Sequence, residues 1–167
     1  MSMLHELATT FGSKDLLDKI MADNPDRKMV LLAGSDADEG LQLVDASGKP
    51  SVFNGGLNYR VQLHQGSSEW QGFFSFKYFT FDQDTAKVFD AKANRLASNG
   101  LPSGMTAMYV LTKEKNANEY VLLTIWADSD AYALWRHSPA FAPFDPYAVS
   151  ANHFHSASYH QVTADEK

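Results

Sequence analysis

An α+β fold is predicted for this 167-residue chain by three observations. Residues 73 to 163 read in the order β-α-β-β-α-β, which is the split βαβ, or ferredoxin-like, arrangement. Residues 1 to 65 supply a helix and several short strands. The strand Phe73 to Phe81 carries aromatic residues on both faces, so both faces are expected to be covered, one by helices and the other by a second sheet. The expected architecture is therefore a smaller N-terminal α+β module over residues 1–69 followed by a ferredoxin-like module over 70–163, their sheets packed face to face. Residues 164–167 are expected to form a frayed tail. A small, polar linker near Gly66 to Glu69 separates the modules, and no sequence repeat relates them.

The elements follow in order. Ser13 caps a helix to Ala22 in which Leu16, Leu17 and Ile20 recur at helical spacing behind the acidic first-turn residue Asp15. Asp23-Asn24-Pro25-Asp26 stops it. Met29 to Ala33, Leu41 to Val44 and Val52-Phe53 are short β-like runs separated by the turn-rich segments Gly34 to Gly40 and Asp45 to Pro50. Leu57 to His64 alternates Leu57, Tyr59, Val61 and Leu63 with polar residues, the period of a half-buried strand. After the aromatic strand, Asp82 caps a helix to about Ala97, with Val88, Phe89, Ala93 and Leu96 on one stripe; Asn99-Gly100-Leu101-Pro102 ends it. Strands at Met105 to Thr112 and Glu119 to Trp126 flank a polar turn. Asp128 caps a further helix holding Ala131, Leu134 and Trp135, Ser138-Pro139 opens a short one, and Phe154 to Val162 is the last strand.

Composition excludes several functions. The chain has no cysteine, which rules out thiol catalysis, cysteine-held iron–sulfur clusters and disulfides, and suits a reducing, cytoplasmic setting. No apolar run approaches the roughly 20 residues of a membrane span, and His5 and Glu6 interrupt the only apolar stretch near the N-terminus, so neither membrane nor export is expected. A formal charge of -6, with scattered basic residues, argues against nucleic acid as a partner. The 44% hydrophobic content is enough for a core.

Tyr120-Val121-Leu122-Leu123-Thr124-Ile125-Trp126, followed by Ala131-Tyr132, Trp135, Ser138 and Phe141, resembles the signature of the antibiotic-biosynthesis-monooxygenase superfamily and of its heme-degrading branch. In that family a strand ends in Thr-x-Trp, and the next helix carries an Ala-aromatic pair, a Trp three residues on, then a Ser and an aromatic. The wider layout, including Phe11-Gly12 and Gly48-Lys49, is similar to the long two-module heme monooxygenases and to staphylococcal TRAP-like proteins. The resemblance implies a dimeric-α/β-barrel type of module. It also implies an oxygen-dependent monooxygenase with heme as cofactor and substrate. Single-module relatives dimerise through their sheets, so a two-module chain is expected to be a monomer, with a homodimer as the alternative.

Three site positions carry over from the resemblance. Trp135 matches the tryptophan that lies against the porphyrin; packing of the helix on the sheet is the alternative role. The axial-histidine position is Asp145, a poor substitute for imidazole. The position of the distal asparagine is Lys77, whose ammonium can donate hydrogen bonds, pair with Asp145 or bind an anionic substrate. A relocated heme ligand would have to be His137, or one of His153, His155 and His160; His153 and His155 are spaced to share one face of a strand. Three readings follow. One is a heme-degrading monooxygenase. Another is cofactor-free oxidation of a small aromatic or quinol-like substrate, a chemistry that suits Lys77. The third is a non-catalytic TRAP-like binding or stress-response protein, which bulky residues between Trp135 and Lys77 would favour.

Overall fold

A computed structural model describes residues 4–35 and 40–162. The expected tail and part of the Gly34 to Gly40 turn lie outside the described residues. The elements are β1 (Glu6–Gly12), α1 (Lys14–Asp23), β2 (Met29–Gly34), β3 (Leu41–Asp45), β4 (Leu57–Gly66), β5 (Phe73–Thr80), α2 (Gln83–Ser98), β6 (Met105–Lys113), β7 (Asn116–Trp126), α3 (Ser129–Arg136) and β8 (His155–Gln161). A 3-10 segment, Ala142–Tyr147, follows α3.

The eight strands of the described residues form one closed antiparallel barrel in the order β1-β3-β2-β8-β5-β7-β6-β4. The first half contributes β4-β1-β3-β2 and the second β8-β5-β7-β6, so each half places its own strands in the order fourth, first, third, second. That is the order of a ferredoxin-like sheet. The second half has both crossover helices, α2 and α3. In the first half α1 is present, and the irregular connection 46–56 stands where a second helix would be.

The expectation of two separate sheets packed face to face needs one correction. The halves do face each other across a shared interior, but backbone pairing also joins them at both seams, where Leu32 to Gly34 of β2 pair with Tyr159 to Gln161 of β8 and β4 pairs with β6 from Tyr59↔Lys113 to Gly66↔Ala107. Closure satisfies edge N–H and C=O groups that two stacked sheets would leave open. Two smaller differences concern β1, which the sequence reading did not assign, and Val52-Phe53, which belongs to the irregular connection. That connection is anchored by the buried Asp45 carboxylate, which accepts from Arg27 Nη1 at 2.8 Å and from Ser47 N and Oγ at 2.9 and 2.6 Å.

Period-2 alternation sorts the side chains. Phe74 and Phe76 of β5 point into the barrel with Trp70, Tyr109, Leu123 and Tyr159. Phe73 and Phe79 point outward, where α2, α3 and the 3-10 segment cover them with Phe89, Trp135, Phe141, Phe144 and Tyr147. Helix α1 covers the opposite half through Leu17, packed on Leu31 and Leu43. No helix among the described residues is long and apolar enough to cross a membrane.

The seating of α3 depends on a glycine. Gly104 enters β6 at φ +87°, and a Cβ there would come within 2.4 Å of the Ala131 Cβ in the first turn of α3. Gly104→Ala is expected to lift α3 from the sheet and to cost about 1–3 kcal/mol, through left-handed strain and overpacking together. Urea denaturation measures it.

Candidate functional site

Ser75 and Lys77 share the outward face of β5, two residues apart. Register places Lys77 opposite Leu122 of β7 on one side and Ser156 of β8 on the other. Asp128 caps α3 by accepting from Ala131 N at 2.9 Å, and the helix carries Tyr132 over this spot. The result is a lysine only 3% exposed, its ammonium donating to the Tyr132 hydroxyl at 2.5 Å, Ser75 Oγ at 3.3 Å and Ser156 Oγ at 3.4 Å. Arg136 Nη1, one turn along α3, also donates to the Tyr132 hydroxyl at 3.3 Å. Aromatic faces complete the enclosure, with the Lys77 Nζ 5.0 Å from the Tyr132 ring centre and 5.9 Å from that of Phe141.

No carboxylate of the described residues lies within ion-pairing distance of Lys77. A buried cation solvated only by neutral oxygens and rings is destabilised, and burial accordingly lowers the Lys77 pKa from its ordinary value, against the opposing influence of Tyr132. Burial alone would raise the Tyr132 pKa. The adjacent Lys77 charge and the hydrogen bonds from Lys77, Ser75 and Arg136 outweigh it and bring the phenol below its ordinary value. Both groups thus shift downward, each favouring loss of a proton. An acid–base pair so placed can take a proton from a weakly acidic substrate and hold the resulting anion. The network runs outward from buried Lys77 to half-buried Tyr132 and to exposed Arg136 and Ser156.

The other sequence-derived residues are placed differently. Trp135 is buried, with ring centres 5.2 Å from Trp126, 4.7 Å from Phe141 in a T-shaped contact and 6.3 Å from Phe144. Its indole N–H is buried without a partner among the described residues. Asp145 is exposed on the 3-10 segment, between Phe144 and Tyr147, which turn inward, and it makes no ion pair with Lys77. His137 is the exposed C-cap of α3. His153 precedes β8 in a left-handed conformation at φ 51°, so it does not share a strand face with His155, whose ring stacks on Tyr78 at 5.5 Å. His160 is exposed on β8. Among the described residues no three potential ligands gather into a metal site.

The structure therefore brings Lys77 and Trp135 to the same covered face, with Phe141 between them, and leaves Asp145 and His137 outside. Sequence reading missed Ser75, Tyr132, Arg136 and Ser156 as functional partners. Ser75 was detectable from the alternation that places it beside Lys77, and Arg136 from its i,i+4 spacing to Tyr132. Ser156 was not, because its place depends on a pairing between strands distant in sequence.

Comparison with known proteins agrees with this architecture. Residues 72–145 match the family model described as antibiotic biosynthesis monooxygenase. Among solved structures, a major regulator of staphylococcal pathogenesis superposes with a TM-score of 0.80 at 20% identity, covering 95% of this chain and 99% of that one. An uncharacterized ferredoxin-fold protein from Listeria monocytogenes, related to antibiotic biosynthesis monooxygenases, gives 0.79 at 19% identity, with 96% of each chain covered. The heme-degrading enzyme LmHde from Listeria monocytogenes gives 0.71 at 19% identity over 93% of this chain and 98% of that one. At these identities the structural likeness establishes the fold. The family match adds that residues 72–145 are similar to the antibiotic biosynthesis monooxygenase family.

Proposed function

We propose that the chain is a cofactor-independent oxygenase acting on a small aromatic substrate with an acidic O–H or benzylic C–H group, such as a phenol, a quinol or an anthrone. The observation that supports this most is Lys77, buried without a counter-ion and hydrogen-bonded to a tyrosine of lowered pKa. The phenolate form of Tyr132, which its lowered pKa favours, takes the substrate proton, and Lys77 and Arg136 hold the anion formed. For an anthrone, the anion delivers an electron pair to dioxygen in single-electron steps and a C–O bond forms. The peroxide anion takes the proton back from Tyr132, and the hydroperoxide loses water, so that CH2 plus O2 becomes C=O plus H2O. No redox group of the protein is consumed.

A heme held by imidazole, as the likeness to a heme-degrading enzyme would imply, does not fit the donors present. The position that the resemblance gives to the axial ligand holds Asp145, an exposed carboxylate, and His137, His153, His155 and His160 are all exposed. Phe141 and Phe144 pack on Trp135, with ring centres 4.7 and 6.3 Å away. Hemin titration is expected to give no saturable one-to-one Soret band.

One observation favours the non-catalytic binding reading instead, namely that Phe141 fills the space between Trp135 and Lys77. Oxygen uptake with anthrone and with a 1,4-naphthoquinol separates the two. The oxygenase reading expects uptake above the buffer rate, lost about tenfold or more in Lys77→Met and Tyr132→Phe. Rates equal to buffer in all three proteins would leave the binding reading in possession. The closed barrel offers no free strand edge among the described residues, which supports a monomer, testable by light scattering.

A further inference from the structure

We propose that a cleft between the C-terminal half of α2 and the 3-10 segment is a second binding site, for a small amphipathic organic anion with an apolar body and a single carboxylate or sulfonate. Its volume is about 580 Å³, within the roughly 300–1,000 Å³ of small-molecule sites. Leu96, Pro102, Pro143 and Phe144 make its walls apolar, and Lys92 and Arg95 stand at its rim. No carboxylate lines it, in a chain of net charge -6. The site thus has one sign of charge and an apolar floor.

The two cations are differently prepared. Lys92 Nζ donates to the Pro143 carbonyl at 3.1 Å and lies 4.8 Å from the Tyr147 ring centre, which fixes its stem along the wall and leaves N–H groups for a ligand. Arg95 is exposed and makes no ion pair among the described residues, so its planar fork is available for a carboxylate or sulfonate. The carbonyl end of α2 lies just beyond, at Ser98 and Asn99, and its partial negative charge repels an anion. The charged group therefore sits on Lys92 and Arg95, and the apolar body runs toward Gly100 and Pro102, where a Cβ added at Gly100 would meet nothing within 4 Å.

Phe144 forms the inner wall. Its other neighbours are Phe89 at 5.8 Å and Trp135 at 6.3 Å between ring centres, so the cleft is separated from Lys77 by a layer of rings. The proposal stands on these residues alone and needs no reaction at Lys77.

The test is a fluorescence titration with 1-anilinonaphthalene-8-sulfonate, which joins aromatic rings to one sulfonate, alongside uncharged N-phenyl-1-naphthylamine. Decanoate serves as a competing carboxylate. The proteins are wild type, Arg95→Glu, Ala140→Trp to fill the cleft, and Lys115→Glu as a distant charge control, each shown folded by near-ultraviolet circular dichroism. Saturable one-to-one binding is expected, displaced by decanoate and weakened about tenfold or more in Arg95→Glu and Ala140→Trp, with Lys115→Glu unchanged. The neutral probe should bind about tenfold more weakly. Absence of saturable binding would overturn the proposal. So would equal affinity in Arg95→Glu, or equal affinity for the uncharged probe.

Discussion

Trp135→Ala is expected to destabilise the fold by about 3–5 kcal/mol, measured by urea denaturation at neutral pH. The side chain is 3% exposed and packs against Trp126, Phe141 and Phe144, which join α3 and the 3-10 segment to the sheet. Its removal leaves a cavity that rigid ring neighbours cannot close. Trp135→Phe should cost much less. It keeps most of the apolar contact and deletes a buried indole N–H that has no partner, a group whose burial itself costs about 1–3 kcal/mol. If the indole N–H were satisfied by a protein group, Trp135→Phe would instead show the larger loss expected of a broken buried hydrogen bond.

Lys77→Met is expected to do the opposite, raising stability by about 1–3 kcal/mol at pH 7 while removing the proposed oxygenase activity. The ammonium is 3% exposed and its hydrogen-bond partners are all neutral hydroxyls, so folding removes it from water without a compensating anion. Methionine has nearly the same length and leaves no charge behind. The Tyr132 hydroxyl keeps Arg136 as a partner, and Ser156 faces solvent. A residue whose replacement stabilises the protein is retained for something other than stability. Destabilisation by more than about 1 kcal/mol would mark Lys77 as a structural residue.

The pH dependence has a definite sign. The Lys77 pKa is lowered in the fold, so the penalty of burying its charge is fully present below the folded pKa and is relieved as pH rises toward the unfolded value. The Tyr132 pKa is also lowered, so its contribution is present above the unfolded value of about 10 and is lost as pH falls through the folded one. Both make the wild type gain on Lys77→Met as pH climbs from neutrality toward 10. Because each group's shift depends on the other's charge, the observed values belong to the pair.

Much of the fold was legible from the sequence because its signals are local. The period-2 run of β4, the Asp82 cap of α2 and the Asp128 cap of α3 each specify an element without reference to distant residues. Glu6 to Gly12 was missed as β1 because Thr9 stands at an inward position where an apolar residue would have completed the alternation. The joined barrel was missed because the β2–β8 and β4–β6 seams are long-range pairings, which no local pattern encodes. At the site, motif counting led to Lys77 and Trp135. It could not reveal that Asp145 faces solvent, since that depends on the 3-10 segment turning Phe144 and Tyr147 inward.

The account depends on the coupling of Lys77 to Tyr132, and an ultraviolet difference titration of phenolate formation, comparing wild type with Tyr132→Phe and Lys77→Met, tests it most directly. Tyr59, Tyr109 and Tyr120 are pushed up to about 12 by burial and stay silent in the window below 10. Wild type should show a phenolate component below the ordinary tyrosine value that is absent in Tyr132→Phe and moved to higher pH in Lys77→Met. An unchanged titration in Tyr132→Phe, or an unmoved one in Lys77→Met, would contradict the acid–base pair and with it the proposed chemistry.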